Sequence, residues 1–487
     1  MAGTLNHLEP KAVWSVFDDI TQYPRPSKKE EKIVAYVENF AKNLGFELKK
    51  DKIGNILIKK PATAGMENRK SFSIQAHLDM VCEKNRGVEF DFDNDAIQTW
   101  IDGDWVKAKG TTLGADNGIG LAMGMAVLAS TDIKHPAFEL LCTLDEETGL
   151  TGAIQLGTDL LSSEILINLD SEEDGHFTIG CAGGINTIGK YKYIADSIPD
   201  NTTFYEIGIK GLRGGHSGIE IHDGRGCSLK LISRLLWNLN NKFNIRLSSI
   251  EGGNKHNAIP REAFAVIGVN SKKLNDFEAF YSDFTNSIQK EYATKEPNLA
   301  FTIEKVETPS RVMAEGMQDG LINSFYAMPH GVIRFSPDIA GLVQTSTNFA
   351  VCRTNDSEVE VLTSQRSLAE SEKKDIFNMV QSVHLLGGAT VVSSDGYPAW
   401  EPNINSPILK TATEIYKNVF GKDAVIETIH AGLECGLVGD KYPGMDMLSF
   451  GPNLKEVHTP DEMVQISSVQ NCWKLLVHII ENLPLKD

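Results

Sequence analysis

The chain has 487 residues, 41% of them hydrophobic and 23% charged, a globular composition that argues against intrinsic disorder. At roughly 100–200 residues per domain, this length predicts two to four domains. The 65 Asp and Glu residues against 47 Lys and Arg give a formal net charge of −18, which disfavours nucleic acid and anionic membrane surfaces as partners.

The opening stretch MAGTLNHLEPKAVWSVFDDI has neither a basic nor an apolar leader region. No run of about 18 apolar residues suggests a membrane span. Seven dispersed cysteines form no CxxC pair, which argues against a disulfide framework and a thiolate metal site and predicts a reducing, cytoplasmic location.

Ser27-x-x-Glu30 reads as a capping box ahead of an apolar helical stripe, Ile33, Val37, Phe40, Ala41 and Leu44, with Gly45 as its stop. Short apolar runs at 55–58, 71–81, 138–144 and 165–169 predict buried strands, and the small-residue segment 118–129 predicts a helix between two of them. Such alternation predicts an α/β fold with a mainly parallel central sheet. From about residue 188, strand-like pieces (204–210, 263–270, 348–353, 388–393) alternate with amphipathic helices (228–240, 276–290, 370–383). Near residue 400 the α/β pattern returns, with a helix at 407–419, a strand at 447–450 and a final helix at 467–483. The prediction is a discontinuous catalytic domain, 1–187 and 400–487, interrupted by an α+β domain over 188–399.

Five segments place acids or histidines at or just past predicted strand ends, where open α/β sheets build their sites. In Ala76-His77-Leu78-Asp79 the imidazole can bind a metal while Asp79 takes its other ring N–H, or the pair is simply structural. Asp116, glycine-flanked in TTLGADNG, is either a helix cap or a ligand. In Asp145-Glu146-Glu147 one acid can ligate while its neighbour faces substrate as a general base, or all are a solvated turn. Asp170 ends an apolar strand, and His458 lies in VHTPDE. Together these donors, nitrogen and oxygen without thiolate, suit zinc or another borderline divalent ion. Three carboxylates and one hydroxide would balance two divalent cations, whereas three unpaired buried carboxylates would be costly.

In this order the residues resemble the dinuclear zinc aminoacylase/carboxypeptidase-like metallopeptidase family. Eight motifs carry the resemblance over nearly the whole chain: AHLDMVCEK, TTLGADNGIG, DEETGLTGA, NLDSEE, GGHSGIEIH, NAIPRE, HAGLECG and VHTPDE. The resemblance implies a zinc-exopeptidase-like catalytic domain with an inserted lid, and pairing into a homodimer through that lid. It implies two Zn2+ per chain, with Co2+ or Mn2+ as possible substitutes. His77 and Asp170 would hold one ion and Glu147 and His458 the other, with Asp116 bridging. Asp79 would orient His77, and Glu146 would be the general base. His216, in Gly214-Gly215-His216-Ser217-Gly218, would stabilise the oxyanion, and Asn257 and Arg366 would contact substrate.

The implied reaction is hydrolysis of Xaa-His and related dipeptides, such as β-Ala-His, by a hydroxide shared between two zinc ions. An N-acyl-amino-acid deacylase or carboxypeptidase on the same scaffold is the alternative. A non-catalytic peptide-binding protein is disfavoured because binding alone needs no Glu146 beside five ligand candidates. A serine hydrolase is disfavoured because the Ser217 loop lacks the GxSxG spacing. Glu434 is left as either a contact for the substrate's ammonium group or a brace.

Overall fold

The computed structural model describes residues 5–337, 339–394 and 396–486. The chain divides into two compact units: one runs up to Cys181 and resumes over 400–428 and 433–487, and the other comprises 182–399 and 429–432. The first junction falls ahead of strand Gly183–Lys192, which pairs along its whole length with Glu358–Ser367. A boundary after residue 187 would cut that ladder, so the predicted junction moves six residues towards the N-terminus, from 187 to 181.

The first unit is built on an eight-stranded sheet. Its order is Glu47–Lys50, Ile56–Lys60, Phe138–Thr143, Phe72–His77, Ile165–Asn168, Asp446–Ser449, His176–Cys181 and Val425–Ile429. The central pairs are parallel, while Glu47–Lys50 with Ile56–Lys60 and Ile56–Lys60 with Phe138–Thr143 are antiparallel. Phe72–His77 and Phe138–Thr143 are buried at every residue, as expected of parallel strands covered on both faces.

Helix Ala115–Ala129 has no polar face, and is correspondingly buried at every residue from Asn117 to Leu128. Its Gly124 permits close approach to the sheet, since a Cβ there would come within 2.5 Å of Leu140 Cδ1. Helix Lys11–Ile20 buries Trp14, Phe17 and Ile20 in the same core.

The capping box at Ser27 does not form. Helix Glu31–Asn43 begins without a side-chain cap, because Ser27 Oγ donates instead to Asp79 Oδ2 at 2.8 Å and Glu30 Oε1 accepts from the backbone of Lys28 and Asp145. Gly45 does close that helix, with a left-handed φ of +77°.

The second unit is an antiparallel sheet with amphipathic helices. Its strand order is Ala300–Lys305, Thr202–Lys210, Ala263–Asn270, Arg246–Gly252, Val343–Thr354, Glu358–Ser367, Gly183–Lys192 and Thr390–Ser393. Helices Ser228–Phe243, Leu274–Tyr292, Glu315–Ala327 and Glu370–Leu386 contribute apolar residues to its separate core. No helix among the described residues is long and apolar enough to cross a membrane.

Candidate metal centre

Three of the five candidate ligands, His77, Glu147 and Asp170, sit at or just past the carboxyl ends of parallel strands. His77 is the last residue of its strand, Glu146 and Glu147 follow strand Phe138–Thr143, and Asp170 follows Ile165–Asn168. The structure brings these together with Asp116 and His458.

His77 Nε2 lies 3.0 Å from Asp116 Oδ1 and 3.5 Å from Asp170 Oδ1. On the other side of Asp116, Oδ2 lies 3.1 Å from His458 Nε2, which is itself 3.0 Å from Glu147 Oε2. One carboxylate thus stands between two imidazoles, each with a second carboxylate of its own. Donor atoms of His77, Asp116 and Asp170, and separately of Asp116, Glu147 and His458, lie within 4.8 Å of one another.

The tautomer of His77 is set from below. Its Nδ1 is 3.2 Å from the Asp79 carbonyl oxygen and 3.4 Å from Asp79 Oδ1, so the ring N–H belongs on Nδ1 and the Nε2 lone pair faces the cluster. Asp79, fully buried, also accepts from the backbone N–H of Glu146 at 3.0 Å and of Glu147 at 3.2 Å. One side chain therefore orients the first imidazole and fixes the peptide that carries both glutamates. Asp170 is held by the side-chain amide of Asn117.

The electrostatics of the cluster are those of excess negative charge. Burial raises Asp170 to about 6 and Glu146 well above the usual carboxylate range, against the pull of His77. Asp116 is instead held low, because hydrogen bonds to His458 and His77 outweigh its burial. Hydrogen bonds to Asp116 and Glu147 push His458 up to about 11. Glu147 Oε1 is buried with no hydrogen-bond partner. A nitrogen–oxygen donor set with surplus carboxylate charge and an orphaned buried oxygen is what divalent cations would satisfy, so these residues fit two such ions.

Glu434 is 1% exposed and accepts from Thr143 Oγ1 at 2.8 Å and from the Gln75 side chain, bracing two strands that end at the cluster. Its Oε1 has no partner, and burial raises its carboxyl to about 7.

His216, Asn257 and Arg366 belong to the second unit. His216 Nδ1 accepts the backbone N–H groups of Gly218 at 3.2 Å and Ile219 at 3.0 Å, which leaves the ring proton on Nε2. Burial and the nearby Arg366 charge lower its pKa, favouring the neutral ring. Arg366 is 7% exposed, donates through Nη1 to Tyr397 Oη at 2.9 Å, and has a buried Nε without a partner. Asn257 is half-buried and lines a cavity of about 490 Å³ with His256, Arg353 and Glu360.

The sequence alone gives no role to Arg25, Asn117 or Glu462, and gives Ser27 only a helix cap. Glu462 lies inside the VHTPDE motif, but nothing local distinguishes it from a solvated acid.

Residues 73–482 match Peptidase family M20/M25/M40. The chain is 43% identical over 482 residues, 99% of each chain, to the cytosol non-specific dipeptidase of Escherichia coli (strain K12). Its structure resembles that of aminoacylhistidine dipeptidase from Vibrio alginolyticus, with a TM-score of 0.94 and 43% identity over 100% of this chain and 99% of that one. A tripeptidase from Staphylococcus aureus shares the fold at a TM-score of 0.57 and 14% identity, over 98% of this chain and 99% of that one. A family match over most of the chain and a relative this similar from end to end establish that the chain is an enzyme belonging to Peptidase family M20/M25/M40.

Proposed function

We propose that this peptidase is a dinuclear metal-dependent dipeptidase of the cytoplasm that hydrolyses Xaa-His and related dipeptides. The observation that carries the reading is the Asp116 carboxylate set between His77 and His458, with Asp170 and Glu147 completing two donor groups. The names of the relatives add support: one is a non-specific dipeptidase and the other an aminoacylhistidine dipeptidase.

His77, Asp116 and Asp170 would hold one ion, and Asp116, Glu147 and His458 the other, with zinc as the proposed metal and Co2+ or Mn2+ as substitutes. When bound, such ions supply Lewis acidity, polarising a carbonyl and acidifying water. Glu146 would take a proton from the attacking water and return it to the leaving amine. Asp79 would keep the His77 lone pair aimed at the cluster while fixing the Glu146 peptide.

In the second unit, the neutral His216 ring has a free Nε2–H suited to a developing oxyanion. The Arg366 guanidinium suits a peptide carboxylate, and Asn257 would add a substrate contact. A lid and a homodimer contact are the roles proposed for this unit.

A panel of Gly-His, β-Ala-His, Leu-Gly and acetyl-His, assayed with and without chelator and added metal, tests the reading. Free dipeptides should be cleaved, acetyl-His spared, and the rate lost to chelator and regained with metal. Preferential cleavage of acetyl-His would make the protein a deacylase instead.

A further inference from the structure

Glu462 is a carboxylate with an unusual set of partners. It is 2% exposed, and its two oxygens accept four consecutive backbone amides. Oε2 takes Leu113 N–H at 2.7 Å and Gly114 N–H at 2.9 Å, and Oε1 takes Ala115 N–H at 2.7 Å and Asp116 N–H at 3.3 Å. Converging amides ahead of a helix make a concave site for negative charge. Here a side chain 346 residues away from Asp116 fills it.

The same loop is gripped from its other side. Arg25, 3% exposed, donates through Nη1 to the carbonyl oxygens of Leu78 at 3.1 Å and Asp79 at 2.6 Å, and through Nη2 to that of Gly114. Gly114 is left-handed, with a φ of +69°, and a Cβ there would come 2.5 Å from Arg25 Nη2 and 2.8 Å from Met80 Sδ. Glycine is therefore required by conformation and by space. Its N–H is held by a buried anion and its C=O by a buried cation, so each charge has the other as a compensating neighbour.

What this grip joins is specific. Arg25 ties the Asp116 loop to the strand end that carries His77 and Asp79. Glu462 ties the same loop to the turn that carries His458, a turn closed by Thr459 N–H to Glu456 O at 3.2 Å and Glu462 N–H to Thr459 O at 3.1 Å. Asp116 sits where the two ties meet.

We infer that Glu462, acting with Arg25 across Gly114, is a positioning residue that sets the spacing between the two metal positions. It touches none of the candidate ligand side chains; it fixes the backbones that carry them. The inference rests on the dinuclear reading above and adds to it a residue without which the two half-sites lose register. A helix start alone would be capped by one acceptor. Four amides bound by a residue from a distant turn go beyond that need.

The test uses full-length wild-type protein, Glu462→Gln and Glu462→Asp. Zinc affinity is read by competition with a chromophoric chelator, bound metal by elemental analysis, and kcat and KM separately. Gln keeps the size but sets an NH2 group against backbone N–H donors. It should weaken zinc binding about 10–100-fold, the range seen when groups supporting metal ligands are lost. It should also lower kcat by a similar factor while KM moves less than about two-fold, since substrate contacts are untouched. Asp keeps the charge and should recover part of both.

A folded Gln variant with wild-type zinc affinity and kcat would overturn the inference. So would a variant whose only defect is a lower melting temperature. If Gln fails to fold, the Asp variant carries the same two readings. Wild-type protein that holds no metal would overturn the dinuclear reading and this inference together, a result distinct from either variant outcome.

Discussion

Asp116 Oδ2 and His458 Nε2 lie 3.1 Å apart although 342 positions separate the two residues in the chain. The other Asp116 oxygen is as close to His77 Nε2, at 3.0 Å. Packing alone gives no reason to bury a carboxylate between two imidazoles and surround it with further acids. If Asp116 bridges two ions, Asp116→Asn should reduce bound metal from two per chain to one or none and cut dipeptide hydrolysis by more than about 100-fold. Elemental analysis of the purified variant reads the first, and unchanged stoichiometry would remove Asp116 as the bridge.

Glu146 is expected to separate chemistry from metal binding. Glu146→Gln should leave metal content as in the wild type while lowering kcat about 10²–10⁴-fold, the scale of lost general acid–base catalysis. Turnover close to wild type would assign the proton transfers elsewhere.

Asp79 supports without ligating. Its carboxylate receives Ser27 Oγ and two backbone amides while facing the His77 ring. Asp79→Asn should weaken metal binding about 10–100-fold, read by chelator competition, with stoichiometry recovered at high metal concentration. Wild-type affinity in that variant would count against an orienting role.

Stability of the second unit should depend on pH through two buried histidines. Burial pushes His384 down to about 4 and His430 to about 3, from an ordinary 6.5. Between pH 6.5 and about 4 the unfolded chain therefore binds protons that the folded chain does not, and stability falls as pH falls through that window. Denaturant unfolding of metal-free protein should lose on the order of 1–3 kcal/mol per histidine across it. His384→Asn, which keeps an acceptor for Tyr191 Oη, should flatten the slope. An identical slope in that variant would exclude His384 as a contributor.

Arg366 tests carboxylate recognition. Arg366→Ala should raise KM for dipeptides with a free C-terminus about ten-fold or more and spare amidated analogues, because a charge-assisted pair is lost only in the former. Equal effects on both substrates would mean that Arg366 serves the fold.

Much of the cluster was legible in sequence because four of its acids and histidines sit at or just past short apolar strands, and the carboxyl ends of parallel strands converge at one edge of the sheet. His77, Glu146, Glu147 and Asp170 are placed by that rule alone. What escaped was non-local. Ser27 and Glu30 have capping-box spacing, yet their side chains are used by Asp79, Lys28 and Asp145. Arg25 and Glu462 sit in no periodic pattern, and their partners are backbone groups whose approach is invisible in sequence. The pairing at one sheet edge is likewise not read from the sequence: Glu47–Lys50 and Ile56–Lys60 form an antiparallel hairpin because Asp51 Oδ1 gathers the amides of Ile53, Gly54 and Asn55 into a tight turn.

The account stands most directly on a metal titration. Protein stripped by chelator should be inactive on Gly-His and regain full turnover as zinc reaches two equivalents per chain, with Asp116→Asn showing no such break. Hydrolysis that persists after complete stripping, or saturates at one equivalent, would contradict it.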